Sequence, residues 1–213
     1  GGTGSFGNAF IDFAQDCDTK FVVFSRDEKK QHDMYVERMN DNVEYVVGDI
    51  RDKNRLMKYL KDVDYILHAA ALKHVPTGEN FPEEVIETNI LGTQNVIEAA
   101  EECGVEKIVN LSTDKAVYPI NAYGMSKALA EKLMSAHNGN TTCISLRYGN
   151  VLGSRGSVIP LFLNQINNSK PMTVTNYDMT RFLLPLSNAV SLALKCLEVG
   201  NKGDLFVIKP PAC

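Results

Sequence analysis

Strand and helix signals alternate along the whole chain, and this alternation limits the fold more than any other feature. Short, β-branched apolar runs at 21–24, 43–47, 65–68, 107–111 and 142–147 are separated by segments of helical period. Those segments are 8–16, 28–39, 53–60, 82–102 and 122–137. Gly104 follows the fourth helical segment as a C-cap, and Gly139 follows the fifth. The strands read as continuous apolar runs, as strands covered on both faces do. Parallel strands joined through helices take right-handed crossovers. The expected fold is therefore α/β, a doubly wound, Rossmann-like parallel sheet. From about Tyr148 the pattern loosens, with glycine, proline and asparagine in the loops. Residues 1–147 are read as a nucleotide-binding domain, and 148–213 as the start of a small substrate-binding portion interleaved with the last strands.

The chain opens on Gly1-Gly2-Thr3-Gly4-Ser5-Phe6-Gly7. Glycines at Gly1, Gly4 and Gly7 allow a tight turn and close approach of a pyrophosphate. The N-terminus of the helix that follows offers free N–H groups and a favourable dipole to that anion. Such a turn alone can be only a turn; followed by strand and helix in alternation, it predicts dinucleotide binding through Gly1, Thr3, Gly4, Ser5, Phe6 and Gly7. The motif ordinarily follows a buried strand, and the chain ends just after a strand-like run at 204–208. A fragment lacking its first strand and part of its C-terminal portion is expected.

The next strand delivers Ser25-Arg26-Asp27, where an NAD site usually places a carboxylate for the ribose 2′-hydroxyl. A serine and an arginine suit a 2′-phosphate instead, so NADP is the expected cofactor. The alternative is a solvated Arg26 in the charged stretch that includes Lys29 and runs to Lys30. Asp49, followed by Ile50 just past the 43–47 run (the third strand once the missing first one is counted), could accept from the adenine amino group or be a plain loop aspartate.

Tyr123 and Lys127 stand four residues apart at a helix start, hence on one face. A free phenol, with its pKa of about 10, is a poor base, but a nearby ammonium favours the phenolate. The pair can then accept a proton from a sugar hydroxyl. Just upstream, Thr113-Asp114-Lys115 ends a strand at the carboxyl edge, where such sheets bind ligands. Asp114 and Lys115 are either a salt-bridged loop or an acid and a base able to remove water across two carbons. Spacing does not decide between these.

Several blocks together resemble the soluble inverting UDP-N-acetylglucosamine 4,6-dehydratases, a group of extended short-chain dehydrogenase/reductases of bacterial flagellin-glycan and capsule pathways. They are Ser112–Ala116, Pro119-Ile120-Asn121, Tyr123–Lys127, Ser25–Glu28, His68–Pro76, Arg147–Val151, Ser154–Val158 and Met179–Phe182. Related deoxysugar dehydratases carry glutamate where Lys115 stands. The resemblance implies that Tyr123 takes the 4-hydroxyl proton while Lys127 holds the ribose and lowers the tyrosine pKa. It implies that Lys115 removes the C5 proton, Asp114 protonates the departing 6-hydroxyl, and Thr113 hydrogen-bonds the 4-oxygen. It also implies NADP, UDP-N-acetylglucosamine as substrate, a homo-oligomer (dimer or hexamer) and a cytoplasmic location. Asn150, Val158 and Thr175 match positions around the sugar and uridine, and Arg181 suits a diphosphate. Lys73 is expected against substrate or cofactor; Ala69, Ala70 and Val151 are expected against the cofactor. Asn89, next to Thr88 inside a long helix, either holds a carbonyl or water near the cofactor or caps a kink. Membrane-anchored retaining relatives lack the Ser25–Glu28 run, which favours inversion by analogy.

The remaining composition narrows the classes. A net charge of −4 over 213 residues offers no basic footprint for nucleic acid or an anionic membrane. Cys17, Cys103, Cys143, Cys196 and Cys213 show no C-x-x-C spacing, so neither a metal site nor a disulfide framework is expected. Two further readings stay open: a retaining dehydratase or UDP-hexose 4-epimerase of the same fold, and a non-catalytic NADP-binding protein. An epimerase has no use for Asp114 and Lys115.

Overall fold

A computed structural model describes residues 1–14 and 18–209; Cys17, Cys213 and the last two residues of the first expected helix lie outside that set. Helix α1 (Ser5–Ala14) leaves the glycine turn directly, earlier than its apolar period indicates. Asn8 ties its first turn back by donating Nδ2–H to the Thr3 and Gly4 carbonyls at 3.2 and 3.0 Å. Then follow β1 (Phe21–Ser25), α2 (Glu28–Arg38), β2 (Val43–Val47), α3 (Lys53–Tyr59) and β3 (Tyr65–His68). Asp27 and Asp52 cap α2 and α3, accepting from Lys30 N–H at 3.0 Å and Arg55 N–H at 2.9 Å.

The single long helix expected at 82–102 is interrupted. After α4 (Val75–Asn80), which the sequence pattern did not show, come α5 (Pro82–Val85), a π-helical turn over Ile86–Leu91, and α6 (Gly92–Cys103). The π turn carries the buried Asn89, whose amide clamps the backbone of Leu72 across the fold. Gly104 closes α6 with φ +76°, as its C-cap position predicts. Gly139 plays no such role: its φ is not positive, and a Cβ there would strike the Glu101 carboxylate.

The second half contains β4 (Lys107–Thr113), a 3₁₀ turn at Asp114–Ala116, α7 (Ala122–Ala136) and β5 (Thr142–Tyr148). A short ribbon pairs β6 (Asn150–Val151) with β7 (Leu183–Leu184), with α8 (Val158–Asn167) between them. The chain then returns through α9 (Leu186–Val199) to β8 (Leu205–Val207). Strands β3-β4-β5-β8 form one parallel sheet in that order, and β1 pairs with β2 in parallel. The α/β, parallel, Rossmann-like expectation holds.

Strand β4 is the centre of the core. Val109 and Leu111 pack with Phe6 of α1 and with Ala189, Val190 and Ala193 of α9. Ile108, on the opposite face, packs with Val96, Ile97 and Met134 of α6 and α7. Two covered faces are why this strand reads as an unbroken apolar run. All parallel strands end at one edge, where the cleft lies.

Candidate functional site

A cleft of about 1290 Å³ opens at the carboxyl edge of the strands. Its lining gathers residues widely separated in the chain: Gly1, Thr3, Gly4, Ser5 and Phe6; Ser25 and Arg26; Asp49 and Ile50; Ala69, Ala70 and Lys73. From the second half come Thr113, Lys115, Tyr123, Lys127, Asn150, Val151, Val158, Thr175 and Arg181.

The glycine turn is built for close backbone approach. A Cβ at Gly1 would stand 2.5 Å from the Ala69 carbonyl carbon, and one at Gly4 would stand 3.2 Å from the Gly1 oxygen. A Cβ at Gly7 would collide with the Gly2 carbonyl, so Gly7 serves helix packing and does not line the cleft. The Thr3 and Ser25 hydroxyls bond each other at 2.8 Å, locking the turn to the end of β1. Arg26 lies 3.6 Å from Asp49, whose carboxylate also receives Arg51 Nε–H at 2.9 Å. Burial is the largest single effect on the Asp49 carboxyl and raises it, but those contacts and the Arg51 backbone N–H together outweigh it and hold the group below its usual range.

Lys29 is not brought to the cleft. Its ammonium bonds both Asp33 oxygens one turn along α2, at 2.8 and 2.7 Å, while the adjacent Lys30 lines the cleft. A step of one residue on a helix is about 100°, which separates the two lysines. Asn89 also stays out of the lining. Its Oδ1 accepts from Leu72 N–H at 2.8 Å, and its Nδ2 donates to the Leu72 carbonyl and to Ser126 Oγ, both at 2.9 Å. It holds the loop after β3 against α7. Its neighbour Thr88 lines the cleft, and its buried hydroxyl has no partner. His68 is sealed in the core against Thr93 Oγ1 at 2.9 Å, and burial drives its pKa well below the usual 6.5. His74 stands at the N-cap of the next helix, its exposed ring bonding the Thr77 hydroxyl at 2.7 Å without capping a backbone N–H.

The two acid–base pairs differ sharply. Tyr123 and Lys127 sit on successive turns at the start of α7, whose N-cap Asn121 accepts from Gly124 N–H at 2.8 Å. Gly124 is required there, because a Cβ would run into the Lys115 carbonyl. Burial pushes the Tyr123 phenol up to about 12, opposed by a hydrogen bond with Thr113. Burial also lowers Lys127 to about 8, opposed by the Glu131 charge. Lys127 Nζ donates to Asn110 Oδ1 at 3.4 Å. By contrast, Lys115 Nζ lies 3.0 Å from both Asp114 Oδ1 and Asn150 Oδ1 at the open side. Thr113 Oγ1 donates to Asp114 Oδ1 at 2.9 Å, so Asp114 touches cleft residues without lining the cleft itself.

Some cleft groups escaped the sequence reading. Tyr148, half-buried beside Tyr123, has its phenol pushed up by desolvation. Arg155 reaches the glycine turn, its backbone N–H donating to Ser5 Oγ at 3.0 Å. Burial and Arg155 together lower the Lys73 pKa. Only chain crossing brings these groups together, and no local spacing signals it.

The glycine cradle, the unpartnered Thr88 hydroxyl and the half-buried Tyr123 beside the buried Lys127 fit a nicotinamide dinucleotide. Among the described residues no group of His, Cys, Asp and Glu is placed to hold a metal ion, and no helix is long and apolar enough to cross a membrane.

A family model described as polysaccharide biosynthesis protein matches residues 1–213. A Rickettsia bellii protein named UDP-glucose 4-epimerase is 51% identical over 224 residues, covering 100% of this chain and 65% of its own length. The X-ray structure of Pen from Bacillus thuringiensis superposes with a TM-score of 0.95 at 40% identity, over 100% of this chain and 70% of that one. A dTDP-glucose 4,6-dehydratase from Streptomyces venezuelae, DesIV with NAD and TYD bound, superposes at 0.87 with 23% identity, over 100% of this chain and 75% of that one. That likeness shows the fold alone.

Proposed function

The chain belongs to the polysaccharide biosynthesis protein family, and on that premise we propose that it is a UDP-N-acetylglucosamine 4,6-dehydratase that inverts C5 and works with NADP. The observation that carries this reading is the second acid–base pair. Lys115 Nζ, 3.0 Å from Asp114 Oδ1 and from Asn150 Oδ1, stands beside the Tyr123–Lys127 pair in one cleft. Moving a hydride to and from C4 needs the tyrosine and lysine only. Losing water between C5 and C6 needs a further base and a further acid.

The bound nicotinamide supplies a hydride acceptor and later a hydride donor. Tyr123 Oη takes the proton of the sugar 4-hydroxyl, which requires the phenolate that burial opposes and the Lys127 ammonium favours. Thr113 Oγ1, close enough to the phenol to oppose its rise in pKa, orients the 4-oxygen. With a ketone at C4, the C5 proton becomes acidic and Lys115 Nζ removes it. Asp114 gives a proton to the departing 6-hydroxyl. C5 regains a proton from the face opposite Lys115.

Ser25 and Arg26 are the proposed contacts to a 2′-phosphate. The portion from residue 148 onward, with Asn150, Val158, Thr175 and Arg181, is assigned to the sugar nucleotide together with Lys73. A homo-oligomer and a cytoplasmic location belong to the same reading.

A second reading, 4-epimerase, is favoured by the name carried by the 51% identical relative. Product identity separates the two. Incubation with NADP⁺ and UDP-N-acetylglucosamine in D₂O is expected to give a 4-keto-6-deoxy sugar of L-arabino configuration, with solvent deuterium at C5. Mass and proton couplings report both features. A D-xylo product means retention; a product that keeps its water ends the dehydratase reading.

A further inference from the structure

We propose that Ser112, Glu131 and Arg147 form a positioning triad that locks α7 onto the ends of β4 and β5 and thereby holds Tyr123 and Lys127 in register with Thr113. Glu131 lies four residues beyond Lys127 and eight beyond Tyr123, on the same face of α7. Its Oε1 accepts from Ser112 Oγ at 2.5 Å and Arg147 Nε at 2.8 Å, and its Oε2 accepts from Arg147 Nη2 at 2.5 Å. Ser112 and Arg147 are direct partners in the β4–β5 register, and the next pair along is Thr113 with Tyr148. One carboxylate on the catalytic helix is therefore gripped by both strands at the floor of the cleft, which Ser112 itself lines.

Burial makes the grip strict. The side chains of Arg147 and Glu131 are 22% and 8% exposed, and a planar bidentate pair fixes direction as well as distance. An apolar contact would hold α7 against the sheet without fixing its rotation or axial position. Displacement of the helix by an ångström would carry Tyr123 and Lys127 with it. The other groups facing this pair are His68 from β3, Asp114 from the turn after β4 and Tyr148 from β5. Glu131 is the anion nearest Lys127 in effect, acting against its burial.

The inference rests on Tyr123 and Lys127 as the pair that takes the 4-hydroxyl proton while the nicotinamide would accept the C4 hydride, a step the dehydratase and epimerase readings share. Its test stops at that step. The protein is mixed with NADP⁺ and either UDP-N-acetylglucosamine or UDP-glucose, and formation of reduced nicotinamide is timed. Glu131→Gln is expected to slow that formation about tenfold, the scale of a sub-ångström misplacement, while sugar-nucleotide affinity stays within about twofold. The double variant Glu131→Leu/Arg147→Met separates positioning from stability. Replacing a buried ion pair by apolar side chains of similar volume restores the thermal midpoint, yet the rate is expected to stay low. Recovery of the rate together with the midpoint overturns the proposal. Ser112→Ala keeps the ion pair, guards against a variant that fails to fold, and is expected to slow the step about threefold; an unchanged rate there counts against the triad. If neither sugar reduces the cofactor, the Tyr123 phenol is titrated by difference against Tyr123→Phe. A titration unmoved by Glu131→Gln and by Ser112→Ala also overturns the proposal, independently of substrate.

Discussion

Two titratable pairs at the cleft, Tyr123 with Lys127 and Asp114 with Lys115, are built in opposite ways. Tyr123 and Lys127 are one turn apart on a long helix, and Lys127 is 3% exposed. Dehydration sets their chemistry, raising the phenol to about 12 and lowering the amine to about 8. Asp114 and Lys115 are chain neighbours in a 3₁₀ turn, with side chains 30% and 38% exposed. They are arranged by contact with each other, with Thr113 and with Asn150. The buried pair is held by the fold before any ligand arrives. The open pair is only half-shielded, so its acid and base act strongly only when a ligand covers them.

The largest effect expected from this contrast is a split between steps. Tyr123→Phe should lower the rate of reduced-nicotinamide formation by roughly 10²–10⁴-fold, the range for a lost general base. Lys115→Met should leave that formation near the parent rate while lowering release of dehydrated sugar by a similar factor. Rapid-mixing absorbance measures the first and mass spectrometry the second. Loss of both steps in Lys115→Met would make the open pair part of the buried one.

A smaller effect concerns the outer wall, where Arg26 has a side chain 46% exposed and its nearest acid is Asp49 at 3.6 Å. Arg26→Ala should lose about 1.5–3 kcal/mol of the preference for NADP over NAD, the worth of a charged hydrogen bond. Calorimetry on both cofactors reads this directly; equal affinities in the unaltered protein would remove the 2′-phosphate assignment.

The smallest effect belongs to the buried side and appears only in stability. His68 is folded in neutral form with a pKa well below 6.5. As pH falls below 6.5 the unfolded chain takes up a proton that the folded chain refuses. Stability should therefore decline toward acid, by up to ~1.4 kcal/mol per pH unit. His68→Gln should flatten that slope in urea midpoints taken on either side of 6.5. An unchanged slope would show that the acid sensitivity lies elsewhere.

Much of this architecture is written locally in the sequence. Apolar runs such as Lys107–Thr113 mark strands covered on both faces, and the Gly1–Gly7 spacing marks the tight turn that opens α1. The four-residue step from Tyr123 to Lys127 puts both on one helix face, and Thr113–Lys115 falls at a strand end because β4 stops there. Residue order alone determined these features, since period and chain adjacency depend on nothing distant. Other features depended on which surfaces meet. The π turn carries Asn89, whose amide is partnered by Leu72, 17 residues away. The choice of Lys30 over Lys29 for the cleft wall depends on how α2 is rotated on the sheet. Glu131 finds Ser112 and Arg147 across 19 and 16 residues only once α7 lies over the β4–β5 register. A one-dimensional pattern states which face of an element is buried. The depth, rotation and register with which two buried faces interlock are set by packing in three dimensions, and that interlocking joined these residues into one site.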